Sequence, residues 1–119
     1  MERLTRSETT QGPSDRFSGE VYVDAIASGH GENRFSIGLV HFMPGARTAW
    51  HSHELGQTLY VMEGEGRIQR EGGELESLRP GDRVFAPAGE RHWHGATEDR
   101  LMVHMAISEG ETSWFDHVE

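Results

Sequence analysis

At 119 residues the chain has room for one compact core and none for a separate cofactor domain. Acidic side chains number 20 against 11 basic, a formal charge of −9, so its field opposes phosphate backbones and anionic lipid, and neither nucleic acid nor a membrane is an expected partner. Cysteine is absent, which removes disulfides and thiolate chemistry, and every basic residue is arginine, which removes a lysine Schiff base. What remains is a high content of eight histidines, with His51 next but one to His53 and His92 next but one to His94, a grouping that turns attention to a metal.

Residues 1–15 are polar throughout and read as a loose, flexible N-terminal arm, leaving 16–119 as a single domain. The arm holds no apolar run of the kind a secretory signal needs, and a cytoplasmic location is the expectation. From Phe17 onward, short β-like runs alternate with Gly and Pro punctuation. They are Val21–Ile26, Arg34–Phe42, Ala49–His53, Thr58–Met62, Arg67–Arg70, Leu75–Leu78, Arg83–Ala86, His92–Gly95 and Leu101–Ser108. The acidic stretch Glu71–Glu76 reads as a solvated hairpin. With no convincing helical stripe, the chain is read as all-β, an antiparallel sandwich or barrel.

Side chains on a strand repeat with period 2. His51 and His53 therefore share one face, with Trp50 opposite, and His92 and His94 share another, with Trp93 opposite. On the last run His104 lies with Met102, Ala106 and Ser108, a set suited to a polar-lined cavity. Leu101, Val103, Met105 and Ile107 form a greasier side, suited to a core between sheets. His30, His41 and His117 read as structural or exposed, and Trp50, Trp93 and Trp114 as core or interface aromatics.

Two stretches carry set spacings. The first runs from Gly45 through His51, His53 and Gln57 to Gly64; the second runs from Gly81 through Pro87 and Gly89 to His92. These resemble the two signature motifs of the cupin superfamily, G-x5-H-x-H-x3-E-x6-G and G-x5-P-x-G-x2-H. Gln57 replaces the usual glutamate, and Ala96 stands where a trailing asparagine is usual. The resemblance implies a single-domain cupin, a double-stranded β-helix or jelly-roll barrel, with one metal held by His51, His53, Gln57 and His92. The spacing agrees with this chemically: two His on one strand face reach a single ion, and a third ligand past the turn and a fourth from a neighbouring strand close one side of its shell.

A narrower resemblance rests on Gly45–His51, Gly56-Gln57-Thr58-Leu59, Gln69–Gly73, His92–Gly95 and Trp114–Val118, and extends back to Phe17. These segments are similar to small bacterial cupins that include manganese-dependent hydroxynitrile lyases. That likeness implies cleavage of a cyanohydrin into an aldehyde and cyanide, with a divalent transition metal, Mn first and Fe, Ni, Co or Zn as alternatives. It implies His104 as the acid/base residue, with His94, Thr48 and Val40 lining the pocket and Ser108 standing where those lyases carry a Gln. Simple alternation sets Thr48 opposite His51, whereas the family pattern sets it in the pocket; a bend after Gly45 would reconcile the two. Beside a cation whose charge the neutral Gln57 leaves uncompensated, His94 and His104 are expected to be neutral at pH 7, able to take a proton from a substrate hydroxyl. The rival readings are a metal-dependent dioxygenase or other C–C cleaving cupin, and a non-catalytic metal- or small-molecule-binding cupin. The arm and the apolar outer strand faces point to a homo-oligomer, a dimer or tetramer.

Overall fold

A computed structural model describes residues 1–119 and contains thirteen strands and no helix. In chain order the strands are β1 (Thr10–Gln11), β2 (Phe17–Ser18), β3 (Val21–Ser28), β4 (Phe35–Phe42), β5 (Arg47–Thr48), β6 (His51–His53), β7 (Gly56–Gly64), β8 (Gly66–Arg70), β9 (Glu76–Leu78), β10 (Arg83–Ala86), β11 (His92–Ala96), β12 (Met102–Glu109) and β13 (Thr112–Trp114). Every run read as a strand from the sequence is one, with ends displaced by no more than two residues. Glu71 to Leu75 make the β8–β9 hairpin turn. Residues 1–9 are exposed, while Thr10 and Gln11 pair with Val23 and Tyr22. No helix is long and apolar enough to cross a membrane.

The strands form two antiparallel sheets that curl over one interior. One sheet has the order β1-β3-β4-β12-β7-β10; the other has β13-β6-β11-β5-β2, with β8 and β9 beside β11. β11 organises the second sheet. All five of its residues pair along β8, while across its other edge His92 meets His51 and Gly95 meets Arg47. In the first sheet β12 is central, flanked by β4 and β7. A bulge passes Met62 over, so that inward-facing His104 lies across from Val61 and Val40.

The interior is apolar at one end, where Val21, Leu59, Val61, Leu78, Ala96 and Met102 pack together. Phe42 belongs to this cluster and also touches the histidines, its ring centroid 5.2 Å from His104 and 6.0 Å from His94. Two face readings change. Met102 joins the apolar core and does not line a cavity. The greasy side of β12 is the outer face of the first sheet and not a seam between sheets: Met105 and Ile107 are partly exposed, Leu101 just ahead of the strand is exposed, and only Val103 is buried. Trp93 is buried, although it faces away from the interior. Its indole donates to Gln69 Oε1 at 3.0 Å, and the Arg47 and Arg67 guanidinium groups lie over its ring.

Gly95 is where β5 and β11 come closest. A Cβ there would press on the Ala46 carbonyl and sit 2.6 Å from the Arg47 Cα, backbone that cannot swing aside. Gly95→Ala is therefore expected to destabilise the fold by about 1–3 kcal/mol through overpacking, read as a lower urea midpoint at an unchanged slope.

Candidate metal centre and cavity

Seven polar side chains are buried: Thr48, His51, His53, Gln57, His92, His94 and His104. All seven lie in one region of the interior. Burying so many polar groups together is costly unless their hydrogen bonds are arranged for it, and the arrangement is visible atom by atom.

His51 and His53 stand on β6 with inward side chains. His51 Nδ1 donates to the Ala49 carbonyl at 2.9 Å, and His92 Nδ1 donates to the Glu90 carbonyl at 3.0 Å. In both, the acceptor lies two residues earlier in the chain and leaves Nε2 as the bare nitrogen. His53 Nδ1 is tied to Thr112 Oγ1 at 3.0 Å, and its Nε2 is buried without a partner. The ligand atoms of His51, His53 and His92 lie within 4.8 Å of one another. Gly56, with φ of +107°, turns the chain into β7 and brings in Gln57. The amide Nε2 of Gln57 donates to Ser108 Oγ at 3.0 Å, and its Oε1 faces His92 Nε2 at 3.1 Å. Because His92 Nδ1 carries the proton, this places two lone pairs against each other, an arrangement a cation between them would relieve. Three converging Nε2 atoms and one amide oxygen, each oriented by a further hydrogen bond, fit a divalent transition metal.

His94 on β11 and His104 on β12 form a second pair, with His94 Nδ1 and His104 Nε2 at 3.0 Å. One proton lies between them, so their outer nitrogens, His94 Nε2 and His104 Nδ1, are one donor and one acceptor; both are buried without partners. Thr48 Oγ1 accepts the His94 backbone N–H at 3.2 Å. Thr48 thus sits with the histidines, as the family pattern has it. The irregularity responsible is at Ala49 and Trp50, not after Gly45: there β5 ends before β6 begins, and the expected single strand Ala49–His53 starts only at His51. The Ala49 N–H turns aside to the Arg16 carbonyl, and the Trp50 N–H to that of Asp116.

A cavity of about 180 Å³ opens beside this cluster, lined by His51, His53, Gln57, His94, His104, Thr48, Val40 and Ser108, all named from the sequence. His92, the third histidine of the candidate metal group, does not line this cavity. Trp114, read from the sequence as a core or interface aromatic, is a cavity wall that stacks on His51 with centroids 4.7 Å apart. Thr112, Phe17 and Val23 also line it and were not singled out. No charged side chain reaches the lining. His41 is elsewhere, paired with Asp24 at 2.9 Å, and His30 and His117 are exposed.

The family model described as Cupin domain matches residues 38–108. The (R)-mandelonitrile lyase of Granulicella tundricola is 43% identical over 122 residues, a match spanning 99% of this chain and 93% of that protein. Among solved structures, a cupin-like protein from Thermotoga maritima superposes with a TM-score of 0.89 at 37% identity, over 100% of this chain and 92% of that one. An acetylacetone dioxygenase from Acinetobacter johnsonii shares the fold, with a TM-score of 0.78 at 16% identity, over 98% of this chain and 78% of that one.

Desolvation holds all five imidazoles neutral. It lowers His53 and His104 from 6.5 to about 4, His92 below its ordinary value, and His51 and His94 well below theirs; neighbouring imidazoles add to the effect at His51, His53 and His94. In the unfolded chain each returns to about 6.5. Between those values the unfolded state binds protons that the folded state does not, so stability is fully present above pH ~6.5 and is lost progressively toward pH ~4. The melting temperature of the metal-free protein is expected to be level from pH 8 to 7 and to fall from pH 6.5 to 4.5. A level profile through that lower range would mean that the imidazoles reach solvent.

Proposed function

Because the chain belongs to the cupin family, we propose that it is a metal-dependent lyase that splits small cyanohydrins into an aldehyde and hydrogen cyanide. The observation that carries this reading is the His94–His104 pair, whose two free nitrogens are one acceptor and one donor beside the same cavity as the metal-ligand group. The 43% identity to a protein named as a mandelonitrile lyase supports the choice of reaction.

His51, His53, Gln57 and His92 would hold one divalent ion, manganese ahead of iron, nickel, cobalt or zinc, and that ion supplies the Lewis acidity that makes a nearby hydroxyl easier to deprotonate. Cleavage of R–CH(OH)–CN takes one proton from oxygen and returns one to the departing cyanide. The histidine pair performs both transfers with no net gain or loss of protons and ends in the reversed tautomer, His104 Nδ1 protonated and His94 Nε2 bare, which must reset before the next turnover. His104 Nδ1 accepts the hydroxyl proton, the proton on His104 Nε2 moves to His94 Nδ1, and the proton on His94 Nε2 goes to cyanide. As the C–C bond breaks, its electron pair leaves with cyanide and the oxygen lone pair forms the aldehyde C=O. Phe17, Val23, Val40, Phe42 and Trp114 form the apolar side of the cavity and hold the hydrocarbon group R. Thr48 fixes the backbone at His94, and so the height of that ring in the cavity.

The expected result is benzaldehyde release from racemic mandelonitrile by the manganese-loaded protein under anaerobic conditions, and none from metal-free protein. His104→Gln is expected to keep the bound metal and lower kcat by about 10²–10⁴-fold, the usual contribution of a general base. Turnover that requires oxygen would give the site to a dioxygenase, and no turnover in either atmosphere would leave a binding module.

The assembly we propose is a homodimer joined through the outer face of the first sheet, where Ile37, Leu39, Met105, Ile107 and Tyr60 meet on adjacent strands with no element covering them. Light scattering is expected to give twice the chain mass, and Met105→Glu to give the monomer.

A further inference from the structure

Gln57 lies between two neighbours that make opposite demands on its amide. Toward His92 it presents Oε1, an acceptor facing the bare Nε2 of the imidazole at 3.1 Å. Toward β12 it presents Nε2, which donates to Ser108 Oγ at 3.0 Å. The two ends of an amide are nearly the same size, so packing does not choose between them; hydrogen-bond partners do. Left to the histidines alone, the side chain would turn over and offer its NH2 to His92, pointing a donor where a ligand oxygen is needed. Ser108 supplies the interaction that favours the opposite orientation. It stands directly across from Gln57 in the β7–β12 register, and Gln57 is itself buried.

We propose that Ser108 is a positioning residue for metal capture, its hydroxyl oxygen holding Gln57 so that the carbonyl oxygen and not the amide nitrogen faces His51, His53 and His92. This assignment rests on reading those histidines as a metal site. It changes what Ser108 does: its oxygen is committed to Gln57 before a substrate arrives. Its own O–H proton is not used in that bond and stays free to point into the cavity that Ser108 lines.

The test is titration of the metal-free chain with Mn²⁺ by calorimetry, with the melting temperature of each metal-free variant measured alongside. Ser108→Val and Ser108→Ala remove the acceptor and are expected to weaken Mn²⁺ binding by about 10- to 100-fold, the usual cost of losing a group that orients a ligand. Ser108→Thr, the same shape as Val but with the hydroxyl kept, is expected to restore most of the affinity. In a Gln57→Glu background the two ends of the group are equivalent, so Ser108→Val is expected to cost less than it does with Gln57 in place. Mn²⁺ binding by Ser108→Val and Ser108→Ala as tight as in the wild type, or an equal loss in the Gln57→Glu background, would overturn the assignment. A wild-type chain that takes up no Mn²⁺ would instead overturn the manganese-site reading, and this assignment with it.

Discussion

Five imidazoles packed into one interior must all be neutral, and most of the site's character follows from that constraint. His51 and His92 have ring centroids 4.4 Å apart, His51 and His94 5.0 Å, and His94 and His104 4.8 Å. A charge on one ring would sit against neighbours with no carboxylate in the cavity lining to balance it. A neutral imidazole donates at one nitrogen and accepts at the other, so orienting the ring also decides which lone pair is presented. At His51 and His92 the choice is made locally, by a carbonyl two residues back along the chain. The accepting ends then converge, and a concave group of lone pairs results. Burial, tautomer and fitness for a metal are one arrangement seen three ways.

The backbone has to be irregular to produce it. A regular strand through Thr48 and His51 would send these side chains to opposite faces. Ending β5 at Thr48 and restarting at His51 lets both point inward, and the two N–H groups released between them are taken up by Arg16 and Asp116. The chain ends therefore help to make the site. β13 pairs with β6 so that Thr112 lies across from His53 and Trp114 from His51. Both reach the imidazoles of the residues they pair with.

This explains which parts of the site were legible in the sequence. All seven buried polar residues could be named from spacing, alternation and family likeness, because His-x-His on a strand and Gly- and Pro-set turns are local signals. All nine strands of three or more residues that form the barrel walls ahead of β13 were visible for the same reason. The four missed strands, β1, β2, β5 and β13, are two or three residues long and exist only through their distant partners. Trp114 shows the cost of that blindness. As a lone aromatic it read as core or interface, and only its pairing partner makes it a cavity wall. The outer face of β12 was misjudged for a related reason: alternation says that two faces differ, but not which one the second sheet covers.

The neutral ligand group gives these details a common direction for the lyase reading. With Gln57 in place of a carboxylate, neither the ligand group nor the cavity wall carries negative charge, while the chain as a whole stands at −9. The outside therefore discourages free anions, and the inside, once a divalent ion is held there, would favour a ligand that develops negative charge only after it arrives. A cyanohydrin meets both conditions, entering neutral and placing charge first on oxygen and then on the departing cyanide. The product must be reprotonated to leave a cavity that favours anions, and the outer nitrogen of His94 is the donor available for it. On the proposed reaction the histidine pair would do more than start it. By returning the proton it would let cyanide leave as a neutral molecule, so a centre built from uncharged donors need not be inhibited by its own product.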